Sequence, residues 1–208
     1  MALAALRADP SWNVVGLVTA VTTGYDRVSI HGVRRTILHA QAESIGLPLV
    51  EAWLEPTSSN EAYEASWEVA LRNANTALGV VRHVAYGDLF LADVRAYRDA
   101  LMMRLGYDPV YPLWEKPTHA LAQAFIADGY RAVVTCVDTT QIDAEFAGRE
   151  YNQRLLADLP TGADPCGEHG EFHTCVLAGP VFRSPLQVSI GERVLRNERF
   201  QYCDLVPV

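Results

Sequence analysis

The first clear pattern is a nearly unbroken apolar run, Val14-Val15-Gly16-Leu17-Val18-Thr19-Ala20-Val21, which reads as a strand covered on both faces. A loop with Gly24, Tyr25, Asp26 and Gly32 follows, and residues 34–45 carry helical spacing that stops at Gly46. Residues 47–54 form a second strand-like run, ended by Glu55-Pro56. Ser58 and Glu61 stand at the spacing of a capping box. The helix they open puts Tyr63, Trp67, Ala70, Leu71, Ala74 and Leu78 on one face before Gly79. Residues 80–86 read as a third strand reaching Gly87-Asp88, and Val94, Tyr97, Leu101 and Leu105 mark an amphipathic helix closed by Gly106.

Helices alternating with short apolar strands predict an α/β fold, a parallel sheet with helices on both faces. Ligands of such sheets lie beyond the carboxyl ends of the strands, so Thr19 to Thr23 and Gly87-Asp88 become pocket candidates. The Pro-rich stretch 109–117 reads as a connector. It divides the chain into an expected nucleotide-binding domain, 1–116, and a smaller C-terminal α+β lobe, 117–208. That lobe is expected to hold a helix over 118–128, a strand over 130–137, a helical stretch over 140–159, and strands over 172–177, 186–190 and 200–205. Residues 1–8 read as a helix that no strand precedes. Either the fold opens on a helix, or a first strand and its turn are absent from this chain.

A formal net charge of −8 with no run of Lys or Arg argues against sequence-independent binding to nucleic acid. No apolar stretch has the length of a membrane span. Four cysteines without a CxxC pair read as reduced thiols of a cytoplasmic protein.

Chemistry concentrates in Asp164-Pro165-Cys166-Gly167-Glu168-His169-Gly170-Glu171-Phe172-His173-Thr174. A solvated turn needs Gly, Asp and Pro, but not carboxylates and imidazoles at this density. The plain alternative is a polar hairpin connection. Cys166, His169, His173 and Cys175 could ligate zinc, yet the glycines and Glu171 break the two-pair framework of a structural site. If the chain is extended after Gly170, Glu171 and His173 share one face and Phe172 takes the other.

These residues resemble the diphthine–ammonia ligase family, adenine nucleotide alpha-hydrolase-like proteins of the N-type ATP pyrophosphatase group. The shared positions are Thr19, His31-Gly32, Gln41-Ala42-Glu43, Gly46-Leu47-Pro48-Leu49, Gly87-Asp88, Pro112-Leu113-Trp114, and the acidic motif running to Gly179-Pro180. The resemblance implies a HUP-like parallel sheet and an ATP-dependent amide-forming ligase. Such an enzyme activates a carboxylate as an acyl adenylate, releasing pyrophosphate, and ammonia or an amine then displaces AMP. It further implies ATP and Mg²⁺, with Thr19, His31, Gly87 and Asp88 at the nucleotide and Asp88 as metal ligand. Glu168, Glu171 and His173 would be catalytic, and Thr174 and Arg149 would bind substrate.

Each has a plainer reading. Asp88 could instead cap the helix over 90–105, His31 could be a hydrogen-bonded loop residue, and Arg98 and Arg149, both possible phosphate or substrate anchors, could be solvated surface. Two departures stand out. The family's SGGKDS-type PP-loop and its strand are not found ahead of residues 1–7, which predicts weak ATP binding by this polypeptide. His173 stands where diphthamide synthases carry Glu, which resembles the bacterial branch. The expected partners are a small-molecule or protein carboxylate and an amine donor, with a homodimer as the candidate assembly. Diphthine–ammonia ligase proper and a non-catalytic nucleotide-binding scaffold are the alternatives.

Overall fold

The architecture comes from a computed structural model that describes residues 1–56 and 59–208. In chain order, α1 (Ala2–Ala8), β1 (Leu17–Thr22), β2 (Arg27–Val28), α2 (Arg35–Ile45) and β3 (Leu49–Leu54) come first. Next are α3 (Asn60–Leu78), β4 (His83–Ala85), α4 (Ala92–Leu105) and β5 (Asp108–Val110). The rest comprises α5 (Thr118–Ala127), β6 (Arg131–Asp138), a 3₁₀ turn (Ala144–Phe146), α6 (Gln153–Asp158), β7 (Phe172–Ala178), β8 (Val188–Arg196) and β9 (Phe200–Pro207). The chain forms two compact units, residues 1–25 with 47–116, and residues 26–46 with 117–208. The stretch 26–46, expected in the first domain, thus groups with the later residues.

In the first unit β1 runs parallel to β3, from Leu17 beside Leu49 to Thr22 beside Leu54, and β4 runs parallel to β5. The protein is therefore mixed α/β with parallel pairs. The expected cap Ser58 lies outside the described residues. The hydroxyl that caps α3 is that of Ser59, which accepts from the Ala62 N–H at 3.3 Å. Leu71 of α3, Val84 of β4, and Leu101 and Met102 of α4 bury one another with Tyr107, which explains why the apolar faces of α3 and α4 were legible. Residues 14–16, expected in the first strand, precede β1, and β4 is shorter than the apolar run 80–86. The segment read as a connector holds β5.

The second unit is built on an antiparallel sheet in the order β7-β6-β9-β8. Its central strand β6 is buried from Ala132 to Asp138 because both faces are covered. One face meets Ala122 of α5, Phe146, Tyr151, Leu155 of α6 and Phe172. The other meets Val33 and Ile37 of the 26–46 stretch, with Cys175, Leu177 and Leu205. Val134 and Val137 pack in the same cluster although they are an odd number of residues apart. The register with β7 slips between Val134 and Cys136, so Thr135 is the extra residue of a bulge and resets the alternation.

Candidate functional site

The acidic motif folds as a tight loop, and two of its carboxylates, Asp164 and Glu171, are turned on its own backbone. Glu171, 2% exposed, accepts the Asp164 N–H at 2.7 Å on Oε1 and the His169 N–H at 3.0 Å on Oε2. Asp164 in turn accepts the N–H of Cys166 at 2.8 Å and of Glu168 at 3.4 Å. Tyr151 Oη donates to the Pro165 carbonyl at 2.5 Å. Gly167 has φ +69, and a Cβ there would lie 2.6 Å from the Phe172 carbonyl oxygen, so the turn needs glycine at this position. Glu168 is half-buried on this loop and His169 is exposed.

Beyond the loop, the pleat of β7 sends Phe172 into the cluster under α5 and α6 and His173 to the opposite side. There the His173 ring meets His31, with centroids 4.6 Å apart and planes tilted by 44°. Instead of a carboxylate and an imidazole on one face, the structure pairs two imidazoles. Burial, and secondarily the proximity of His31, pushes His173 down to about 4, so it is neutral at pH 7 with one ring nitrogen free to accept. His31 Nδ1 lies 3.0 Å from the Ser29 carbonyl oxygen. A carbonyl only accepts, so Nδ1 is the donor of this contact and Nε2 is the ring nitrogen left for another partner. His31 is presented by a strained turn, because Asp26 and the β-branched Ile30 both have left-handed backbone, with φ 51 and 67.

The remaining candidates have other neighbours. Thr174 lies on β7 opposite Val134. Arg149 forms an ion pair with Asp158 and stacks over the Phe146 ring at 4.7 Å. In the first unit, Thr19 lies on β1 beside Glu51, and Gly87 is exposed in the segment after β4. Asp88 does not cap α4, whose N-cap is Leu91 with no side-chain hydrogen bond. Its side chain is 11% exposed, with Arg98 Nη1 3.0 Å from Oδ2. That contact lacks hydrogen-bond geometry, and the buried oxygen has no hydrogen-bond partner. Arg98 itself lies over the Tyr86 ring at 4.5 Å.

Two clusters escaped the sequence reading. Asp138, 2% exposed, receives Arg199 through Nε at 3.0 Å and Nη2 at 2.6 Å, and also Thr140 and Gln141. The Arg199 hydrogen bonds hold its carboxyl far below the usual carboxylate range. Asp204 on β9 receives both Arg27 and Arg34. Their ion pairs carry no local signal, since the arginines lie 61 to 177 positions from the carboxylates; only the Thr140 and Gln141 contacts of Asp138 are local. A cavity of about 390 Å³ opens beside Asp138, lined by residues including Thr140, Gln141, Phe146 and Asp158. Among the described residues, no three His, Cys, Asp or Glu side chains converge as a metal centre, and no helix is long and apolar enough to cross a membrane.

Comparison with known proteins bears on this second unit most directly. Residues 117–205 match the family model described as the diphthamide synthase C-terminal domain. The chain is 26% identical over 126 residues to a diphthine–ammonia ligase of Schizosaccharomyces pombe, covering 59% of this chain and 21% of that protein. It is 24% identical over 210 residues to a diphthine–ammonia ligase of Bos taurus, covering 95% of this chain and 76% of that one. The chain thus spans about a fifth of the yeast relative and about three quarters of the bovine one. The similarity is to proteins named as diphthine–ammonia ligases, at low identity, and the segment with the family match is the one that carries Glu171 and His173.

Proposed function

We propose that this chain serves an ATP-dependent amide-forming ligase, in which a carboxylate is activated as an acyl adenylate with loss of pyrophosphate and ammonia then displaces AMP. The observation that carries the reading is that the segment matching the diphthamide synthase C-terminal domain holds a neutral His173 against His31. Nitrogen attack on an acyl group leaves a positively charged nitrogen that must shed a proton. A neutral imidazole can receive that proton, and a protonated one cannot. In this reading His173 takes it, and His31 Nε2 orients the incoming amine. Glu171 holds the loop that bears the partly exposed Glu168, whereas Thr174 shares the Phe172 face of β7, turned away from the imidazole pair, and takes no part with it. Arg149, already paired with Asp158, is the weakest of the substrate-binding candidates.

The nucleotide side of the proposal belongs to the first unit, read as a HUP-type domain of the adenine nucleotide alpha-hydrolase group. Its parallel β1–β3 pair, with Thr19, is the expected floor for ATP. The buried Oδ2 of Asp88 that lacks a hydrogen bond fits a donor to hydrated Mg²⁺, which when bound would neutralise phosphate charge.

The narrower reading, diphthine as the carboxylate, is favoured by the names of both relatives. Phosphorus NMR of the protein with ATP, Mg²⁺, ammonium chloride and either a diphthine-bearing protein or a panel of small carboxylic acids tests both. AMP and pyrophosphate formed only when a carboxylate is present support the ligase. Release of ADP and phosphate, or AMP formation indifferent to every carboxylate, refutes it.

A further inference from the structure

His31 meets His173 at the tip of a turn that its own backbone preferences disfavour, since Ile30 is left-handed. Such strain persists where the surroundings over-determine it. Here one carboxylate grips the turn on both sides of His31. Asp204 Oδ1 accepts Arg27 Nη1 at 2.8 Å and Arg34 Nε at 3.0 Å, while Oδ2 accepts Arg34 Nη2 at 2.5 Å and Nε at 3.1 Å. Arg27 Nη1 also reaches inward to the Gly32 carbonyl at 2.7 Å. Gly32 lies against the Tyr202 ring, so closely that a Cβ would sit 2.6 Å from Cδ1. Burial works against the charge of Asp204, which is 17% exposed, yet the hydrogen bonds from Arg34 and Arg27 prevail and keep it ionised.

We propose that Asp204 is a positioning residue for the amide-forming site: by holding Arg27 and Arg34 it locks the turn that sets His31 against His173. The bidentate fork of Arg34 supplies direction as well as attraction, and the second cation stops the turn from pivoting about the first. The consequence for turnover rests on the ligase reading above. The consequence for the imidazole pair does not.

The test is Asp204→Asn, read by the NMR titration of the His173 ring, which is assigned from the resonance missing in His173→Gln. The titratable groups beside the pair are Cys136 of β6, across from His173, Cys175 of β7, and Tyr202 of β9 against Gly32, with Arg27, Arg34 and Asp204 at the base of the turn. Deleting the carboxylate charge and freeing two guanidiniums would by electrostatics alone drive the His173 midpoint further down. Release of the turn removes His31 and admits water, which drives it up. The expected result is a rise from about 4 toward 6.5, with Asp204→Glu restoring the low value. Turnover is expected to fall about 10–100-fold, as is usual when a supporting contact is lost. An unchanged or lower midpoint overturns the proposal. Arg34→Lys, at a half-exposed residue, keeps the cation but loses the bidentate fork. Electrostatics alone would leave the midpoint where it is, so a rise decides the question if Asp204→Asn does not fold, and an unchanged midpoint overturns the proposal. Absence of amide formation by the unsubstituted protein would sink the ligase reading while the titration still judges Asp204.

Discussion

Replacing His173 by Gln should remove most of the acid sensitivity of the second unit between pH 6.5 and 4. His173 is held at about 4, against an ordinary 6.5, chiefly by burial. A lowered imidazole means that the unfolded chain binds the proton first. Stability from this group is therefore complete above pH 6.5 and lost as pH falls toward 4. Each pH unit inside that window is worth about 1.4 kcal/mol, which gives about 2.5 kcal/mol between pH 7 and pH 4.5. The arginine-held carboxyls of Asp138 and Asp204 lie below the usual carboxylate range. Their stabilisation is lost only as pH falls through lower values, so the two effects separate. Urea unfolding followed by tyrosine fluorescence of Tyr130, Tyr151 and Tyr202, with all four tryptophans in the first unit, and by far-ultraviolet circular dichroism at pH 7.0, 5.5 and 4.5 measures the slope for both proteins. Parallel slopes would mean that His173 is solvated in solution, and the argument for a neutral, buried imidazole pair would fail.

Other substitutions report on the loop and the sheet. Glu171→Gln keeps one acceptor but turns an NH₂ toward a backbone N–H, so two charge-assisted hydrogen bonds are lost or weakened. A destabilisation of about 2–4 kcal/mol is expected, read by thermal unfolding, and a change under about 0.5 kcal/mol contradicts the clamp role. Gly167→Ala combines left-handed backbone with a Cβ pressed on the Phe172 carbonyl, and should cost about 1–3 kcal/mol. Full stability of that variant would mean that the loop has a different path. Asp138→Ala strands Arg199, which is half in solvent, together with the Thr140 and Gln141 donors. The expected loss is about 1–3 kcal/mol at pH 7, from the donors left without their acceptor, shrinking as pH falls below the ordinary carboxylate range, where the unfolded chain takes up the proton first. A loss that stays constant down to pH 2 would argue against an ionised Asp138.

Local chemistry explains which elements were readable. The helices α2, α3 and α4 end at Gly46, Gly79 and Gly106, where periodicity and a helix-stopping residue coincide. Strand β6 is apolar almost throughout because it is covered on both faces. The stretch 140–159 was misread as continuous helix, for a reason that lies outside it. Val134 N–H donates to the Arg149 carbonyl, and Gly148 and Tyr151 donate to Val134 and Ala132. Residues 148–151 thus pair with β6 along the part that β9 leaves uncovered, and long-range hydrogen bonding overrides helical spacing. The short strands β2 and β5 carry too few residues to show any period.

The acidic motif could be singled out from composition, because polar groups crowded beside an apolar strand are locally visible. Its internal geometry could not. Whether Glu171 faces a substrate or its own backbone depends on how residues 164–169 curl, and only packing against Tyr151 and Phe172 decides that. The contact between His31 and His173, and the Asp204 clamp that reaches across 170 positions to Arg34, follow from bringing residues 26–46 onto the antiparallel sheet. Periodicity is a property of neighbours along the chain. Burial, imidazole pairing and ion-pair geometry belong to neighbours in space, and for these residues the two sets do not overlap.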